Sequence, residues 1–151
     1  HMRGRTYRFA EVEPLYPFGF GLSYAQLAYG SFSRDVDTLR AGQELTVRTT
    51  VTNTSARTTD ETVQCYVIPP RDWPDAPRAT LIGFQKFPVP ANTAVEIEFR
   101  LASAAFCQVN AAGDRVWAPG RYGLVVGPAS PGPRAIELGA PAPATGEILL
   151  V

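Results

Sequence analysis

The sequence predicts an all-β sandwich made of short antiparallel strands. Apolar and polar side chains alternate strictly in residues 45–53 and again in residues 95–101. A period of two places one set of side chains in a core and the other set in water, which is typical of antiparallel sheets. No stretch longer than about ten residues has helical periodicity. A chain of 151 residues suits a single domain.

Two further strands are predicted from the same alternation, at residues 63–68 and 120–126. The sequence Ala112-Gly113-Asp114 suits a hairpin turn, and a short helical turn is predicted at residues 103–106. Some eight short strands in one domain favour a sandwich over an α/β fold. The weaker strand candidates are residues 27–32, 80–87, 115–117, 135–138 and 148–151.

The two ends of the chain follow other patterns. His1-Met2 is typical of an expression-vector remnant and contains the only histidine and the only methionine, so the remainder is expected to come from a longer protein. Residues 3–26 are rich in aromatic residues, glycine and proline, and we predict an extended strap along the sandwich or along a neighbouring domain. The sandwich itself is expected to span residues 27–127. Residues 128–151 are expected to form a loop and a C-terminal tail or edge strand.

Composition argues against several classes of function. Lys+Arg and Asp+Glu are both 14, so the chain lacks the basic field that nucleic-acid binding needs. Its apolar runs are far shorter than the roughly 18 residues of a membrane-spanning helix. Without a histidine after His1, the usual general base and zinc ligand are missing. We predict no metal and no cofactor, and we expect Cys65 and Cys107 to be free buried thiols, with one disulfide as the alternative.

Five motifs, in order along the chain, resemble one known domain. The first is the strap motif, made of Gly4–Phe9 and Glu13–Tyr24, and the other four are Val51–Thr54, Asp60–Val67, Leu81–Phe87 and Pro119–Gly127. Together they resemble the last domain of glycoside hydrolase family 3, which contains β-glucosidases and β-xylosidases, and the junction before it. The resemblance implies an immunoglobulin- or fibronectin type III-like antiparallel sandwich.

The chain departs from the family pattern at two places. Pro90-Ala91-Asn92-Thr93 stands where the family often has Pro-Gly-Glu, so the turn is expected to be rebuilt around Asn92. Cys65 replaces the usual leucine, which should reduce the core volume without changing the fold.

The resemblance implies a non-catalytic accessory module. In that family the nucleophilic aspartate and the acid/base glutamate lie in two other domains, and neither motif occurs here. The expected partners are therefore the catalytic domains of a parent glycosidase, which would hydrolyse O-glycosidic bonds. Family members are often exported, which implies a secreted or periplasmic parent, although this sequence does not itself indicate a compartment.

The strap supplies the candidate docking residues, which are Tyr16, Phe18, Phe20 and Tyr24. Gly19 and Gly21 alternate with them and permit tight turns or close approach to another surface. Two alternative functions stay open. One is a carbohydrate- or polymer-binding module that uses Trp73, because exposed tryptophan rings stack on sugars. The other is a general protein-interaction or adhesion domain.

Two pairs of carboxylates can be compared with the spacing that glycosidases need. Glu96 and Glu98 lie about 6.5–7 Å apart along one strand face, and glycosidase carboxylates lie roughly 5–9.5 Å apart. Arg100 beside them is typical of a solvated face, so we predict no catalytic role. Asp60-Glu61, at a strand entrance, is also predicted to be non-catalytic.

Two further positions have local interpretations. Asn53-Thr54-Ser55 fits the N-glycosylation pattern, but an asparagine at a strand end favours a plain turn. Trp117 precedes the Pro119-Gly120 turn and is predicted to pack on the core or cover its end.

Overall fold

The computed structural model describes residues 4–151, and its strands form two packed sheets. Three short helical segments accompany the strands: α1 (Thr6–Phe9), a 3-10 helix (Ser103–Phe106) and α2 (Pro133–Glu137). In chain order the strands are β1 (Leu27–Tyr29), β2 (Ser33–Arg34), β3 (Thr38–Leu39), β4 (Glu44–Asn53), β5 (Thr59–Ile68), β6 (Thr80–Val89), β7 (Ala94–Ala102), β8 (Gln108–Val109), β9 (Arg115–Val116), β10 (Gly120–Gly127) and β11 (Ala144–Leu150).

Sheet A is built around β4. Strands β1 and β2 pair with one edge of β4, and β7 pairs with the other. Sheet B has the order β3-β11-β10-β5-β6, in which only the short β3–β11 pair is parallel. A small hairpin of β8 and β9 lies outside both sheets, and its turn contains Gly113 at a φ of 91°. The predicted antiparallel sandwich is confirmed.

The alternation in the sequence matches the two faces of sheet A. On β4, Leu45, Val47 and Val51 are fully buried between the sheets. Thr46, Arg48 and Thr50 point to the other face, where Arg48 lies opposite Glu98 of β7. Because the sheet has one dry and one wet face, its strands could be read directly from a period of two.

The core lies between the two sheets and closes at one end with aromatic side chains. Phe106 of the 3-10 helix meets Tyr122 of β10 edge to face, with ring centroids 6.2 Å apart. The Tyr122 hydroxyl donates to the Ala118 carbonyl at 3.0 Å, so its polar end is satisfied inside the core. Trp117 packs against this core, and its Nε1 donates to the Val151 carbonyl at 3.3 Å, as a covering residue should.

One predicted strand is wrong. Residues 135–138 belong mainly to helix α2, which begins at Pro133. Proline is favoured in the first turn of a helix because its φ is already helical and its missing N–H is not needed there. The apolar pair Ala135-Ile136 suggested a strand, but Ala135 is buried and Ile136 about half exposed because they lie on different sides of one turn.

The C-terminal segment belongs to the sandwich. Strand β11 pairs with β10 over its full length, from Gly120 opposite Leu150 to Val126 opposite Ala144. On its other side β3 covers only Leu149 and Leu150, so the first part of β11 is a sheet edge. Sheet B therefore continues past residue 127 to Leu150, and of the two expectations for the end of the chain, a tail or an edge strand, β11 corresponds to the strand.

The cysteines and the rebuilt turn follow the expectations with one difference. Both thiols are free; Cys65 is buried in the core, whereas Cys107 is only partly buried. Burial raises the pKa of the Cys65 thiol to about 12, so it acts as a small core side chain. Asn92 has a φ of 55°, a left-handed conformation that asparagine tolerates and that the turn between β6 and β7 requires.

Candidate docking face

The strap lies along the outer face of sheet B. Tyr7 packs edge to face on Tyr66 of β5, with ring centroids 5.8 Å apart, and Phe18 stacks on Tyr7 at 5.1 Å. Tyr66 is fully buried beneath them, beside Val125 of β10 and Leu81 of β6. The alternation of residues 63–68 places Tyr66 on the face away from the core, and there the strap of the same chain covers it.

Hydrogen bonds hold the strap backbone at several points. Arg78 donates its backbone N–H to the Arg8 carbonyl at 2.6 Å and its guanidinium to the Ala10 carbonyl at 2.7 Å. Further along, the Ser130 N–H donates to the Phe18 carbonyl at 2.8 Å. At the end of the strap, the Ser23 and Thr59 hydroxyls lie 3.3 Å apart. The strap thus runs along β5 in the opposite direction, from Tyr66 back to Thr59.

Gly19 permits a close approach between strap and sheet. Its φ is 82°, and a Cβ at this position would lie 2.0 Å from Nε2 of Gln64. Gln64 is itself fixed, because its Nε2 donates to the Pro128 carbonyl at 2.8 Å and its Oε1 accepts from the Tyr66 hydroxyl. The predicted close approach at Gly19 therefore occurs within this chain.

The four predicted docking residues have different environments. Tyr24 is 96% exposed, Tyr16 is 64% exposed and Phe18 is 52% exposed, although Phe18 also stacks on Tyr7. Phe20 is partly buried and stacks on Tyr16, with ring centroids 6.0 Å apart.

Sequence reasoning missed three aliphatic residues of the same segment. Val12, Leu15 and Leu22 are all highly exposed, and their signal was present as apolar residues in a stretch without periodicity. We call the exposed apolar side chains of the strap the strap face: Val12, Leu15, Tyr16, Phe18, Leu22 and Tyr24.

Phe84 extends the apolar surface beyond the strap. It lies on β6, opposite Gln64 of β5, and is 68% exposed. Because Gly19 lies against Gln64, Phe84 is one strand away from the strap on the same sheet face. Nothing in the alternation of β6 distinguished it, because this strand contains a register shift opposite Cys65 and Tyr66.

Trp73, the candidate sugar contact, is partly buried in the loop between β5 and β6. Two turns shape this loop, with the Trp73 N–H donating to the Pro70 carbonyl at 3.3 Å and the Ala76 N–H donating to the Trp73 carbonyl at 3.2 Å. Trp73 is thus less exposed than the strap residues Tyr16 and Tyr24.

Glu96 and Glu98 lie on the outer face of sheet A, as predicted. Glu98 is held between Arg48 at 2.8 Å and Arg100 at 2.9 Å, while Glu96 is exposed. Hydrogen bonds from Arg100 and Arg48 lower the pKa of Glu98. A carboxyl with a lowered pKa stays ionised near neutral pH and is a poor proton donor for glycoside cleavage.

Asp60 and Glu61 interact with different partners. Asp60 pairs with Lys86 at 3.1 Å on the surface. Glu61 is partly buried and accepts a hydrogen bond from the Tyr29 hydroxyl at 2.8 Å, which links β5 to β1 of the other sheet. Burial raises the pKa of Glu61 and outweighs the hydrogen bond from Tyr29, which acts in the opposite direction. Burial, together with the nearby Glu61 charge, also raises the pKa of Tyr29.

Asn53 has a structural role. It is fully buried, and its Nδ2 donates to the carbonyls of Arg57 at 2.7 Å and Val89 at 3.1 Å. Its Oδ1 accepts from the backbone N–H and the hydroxyl of Ser55. Because both amide protons are engaged inside the fold, the folded chain offers no glycosylation site here, and the turn interpretation holds.

Two findings limit other kinds of site within residues 4–151. No helix there is long and apolar enough to cross a membrane. No group of three or more histidine, cysteine, aspartate or glutamate side chains in this range is arranged to hold a metal ion.

Comparison with known sequences shows that the chain is similar to one part of longer proteins that are named as glycosidases. A family model described as a fibronectin type III-like domain matches residues 61–130. A β-xylosidase of Formosa agariphila is 35% identical over 126 residues, which are 82% of this chain and 17% of that protein. A β-glucosidase of Rhizobium radiobacter is 35% identical over 119 residues, which are 77% of this chain and 14% of that protein.

Solved structures agree with the sequence comparison. A β-glucosidase from Erythrobacter marinus superposes with a TM-score of 0.79 at 29% identity, covering 99% of this chain and 18% of its own. The GH3 β-glucosidase of Bifidobacterium adolescentis gives a TM-score of 0.73 at 33% identity, covering 89% of this chain and 18% of its own. This chain thus spans less than a fifth of each of these relatives. It belongs to the fibronectin type III-like domains of glycoside hydrolase family 3.

Proposed function

We propose that this chain is a non-catalytic accessory module of a longer β-glycosidase and that it stabilises that enzyme by docking through the strap face. The observation that carries the proposal is the contrast between the strap backbone and its side chains. The backbone is fixed by hydrogen bonds to Arg78 and Ser130, in the loops before β6 and after β10, while apolar side chains from Val12 to Tyr24 stay exposed. An anchored segment that presents apolar groups to water is typical of an interface.

The two outer faces of the sandwich support the choice of surface. Sheet A presents threonine and charged side chains, with Arg48, Glu98 and Arg100 paired among themselves. A face of this kind is well solvated and gains little from burial. The strap side offers the apolar area, and burying one large apolar side chain contributes about 1.5–3 kcal/mol.

The relatives support the kind of partner. They are named β-xylosidase and β-glucosidase, and most of each relative lies outside the part that matches this chain. The catalytic work is therefore assigned to the rest of the parent protein, which we propose cleaves O-glycosidic bonds. The carboxylates discussed above give no acid/base pair in this chain, since Glu98 is neutralised by two arginines and Glu61 is bound to Tyr29.

The double variant Leu22→Ser with Tyr24→Ser in the full-length parent tests the docking. Leu22 and Tyr24 are almost fully exposed here, so the isolated chain should unfold at an unchanged temperature. In the parent, loss of their burial should cost about 2–4 kcal/mol and lower the unfolding temperature by several degrees, measured by scanning calorimetry.

Val109→Ser is the matched control, because Val109 is an exposed apolar residue on strand β8, outside the strap. The control should leave the parent unchanged. Equal unfolding temperatures for the parent, the double variant and the control would show that the strap face does not dock.

A further inference from the structure

The loop of residues 69–79, which carries Trp73, has few ways to hold its shape. Four of its residues are prolines and donate no backbone hydrogen bond. The loop makes two internal backbone bonds, at 3.3 and 3.2 Å, both near the upper end of the normal range. Among the described residues, its hydrogen bonds to the remainder of the fold pass through Arg78 to the strap.

The strap is fixed at the same place. Arg78 donates to the carbonyls of Arg8 and Ala10, the Tyr7 hydroxyl accepts from the Leu81 N–H at 3.2 Å, and an Arg8 guanidinium nitrogen donates to the Thr80 hydroxyl at 3.3 Å. The three residues that bind the strap here, Arg78, Thr80 and Leu81, lie where the loop ends and β6 begins. Residues 78–81 therefore bind the strap and also form the end of the loop.

One feature of this junction limits its strength. The Nε of Arg8 is buried without a hydrogen-bond partner in the described chain. A buried donor without an acceptor destabilises the state that buries it. Release of the strap would return this group to water.

We propose that the strap and the loop of residues 69–79 bind and release as one unit, with Arg78 as the positioning residue that links them. The linkage goes beyond docking of the strap face, because both segments belong to this chain and the linkage exists without a partner. A change that releases the strap should therefore also release the loop that carries Trp73, and a change that holds the strap should order that loop. The loop lies at the edge of the sheet face that the strap covers.

Amide hydrogen exchange, followed by mass spectrometry on the chain itself, tests the linkage. Tyr7→Phe keeps the ring on Tyr66 but removes the acceptor of the Leu81 N–H, and it changes no residue of the loop. Arg78→Met removes the guanidinium bond to Ala10 and keeps the aliphatic stem. Each variant should raise exchange in peptides from residues 4–10 and 71–79 together, by about tenfold for one lost hydrogen bond.

Arg121→Met is the control, since Arg121 is an exposed arginine whose guanidinium pairs with Glu147 of β11, outside both the strap and the loop. It should change exchange in neither segment, and peptides from β4 and β7 should be unaffected in all variants. Faster exchange in only one of the two segments, or in neither, would overturn the linkage. The Tyr7→Phe result on the loop decides most sharply, because the change and the readout lie in different segments.

Discussion

At the scale of single residues, the chain places its unusual polar groups where two elements must be joined. Asn53 ties the end of β4 to the Arg57 turn and to the end of β6 through four hydrogen bonds. Tyr29 and Glu61 link the two sheets at one end of the sandwich. These roles could not be read from the sequence, because an asparagine in a turn pattern or a glutamate at a strand entrance is usually solvated. The partners are far apart along the chain and become neighbours only in the fold.

Glu61 makes the stability of the chain depend on pH in an unusual direction. Burial holds its pKa in the folded chain above the usual value of a glutamate, so the folded state holds the proton more tightly than the unfolded state does. The folded state is therefore favoured at low pH, and this contribution is lost as the pH rises through the folded pKa. Glu61→Gln removes the charge and should raise the free energy of unfolding at pH 7 by up to about 1 kcal/mol, after allowance for partial exposure.

Urea unfolding at pH 7 and below pH 4.5 measures this effect. The advantage of the variant should disappear at the lower pH, where Glu61 is already protonated in the folded chain. Glu147→Gln is the control, because Glu147 forms an exposed pair with Arg121 and should shift stability little. If Glu61→Gln made this chain less stable than the unmodified chain at pH 7, the hydrogen bond from Tyr29 would outweigh the cost of burying the Glu61 charge.

At the scale of elements, a strand could be located from the sequence when one of its faces is solvated. Strands β4 and β7 alternate cleanly because one face is solvated, and both were located to within a residue or so. Helix α2 was read as a strand because five residues are too few to show a helical period. The strap has neither helical nor strand periodicity, so its path over Tyr66 could not be predicted from its own residues. Its position is decided by contacts with β5 and β6.

Gly19 is the position where the strap depends most on a single residue. Gly19→Ala adds a Cβ 2.0 Å from Gln64 Nε2 at a φ of 82°, so both the strap and Gln64 must move. The left-handed conformation alone costs about 1–2 kcal/mol for alanine. Gly42→Ala is a matched control, because Gly42 has a φ of 84° and nothing lies within 4 Å of the added Cβ.

Thermal unfolding of the two glycine variants separates backbone strain from contact. Gly42→Ala should lower the unfolding temperature by about 2–8 °C, the effect of strain alone in a domain of this size. Gly19→Ala should lower it further and should also increase the exposure of Tyr66, seen as a change in tyrosine fluorescence. If the two variants behave alike, the approach of Gly19 to Gln64 does not contribute to stability.

At the scale of the whole molecule, the chain has three layers rather than two. Sheet A and sheet B enclose the main core, and the strap covers a second, smaller cluster of Tyr66, Ala79 and Val125 on the outside of sheet B. The layers are unequal, because the outer face of sheet A carries paired charges, whereas sheet B has an apolar patch around Tyr66 beside its surface ion pairs. A sheet with two apolar faces is stable in water only when both are packed.

Removal of the strap should therefore leave a folded sandwich with an exposed apolar face. A chain that begins at Ala25 keeps all eleven strands and the main core but uncovers Tyr66, which is fully buried in the intact chain. We expect it to unfold at a lower temperature and to self-associate, because exposed apolar patches promote association. Sedimentation velocity over a range of concentrations measures the association. Tyr66→Glu in the shortened chain places a charge at the centre of the uncovered face and should restore the monomer. A shortened chain that stays monomeric and unfolds at the original temperature would show that sheet B does not need the strap as a third layer.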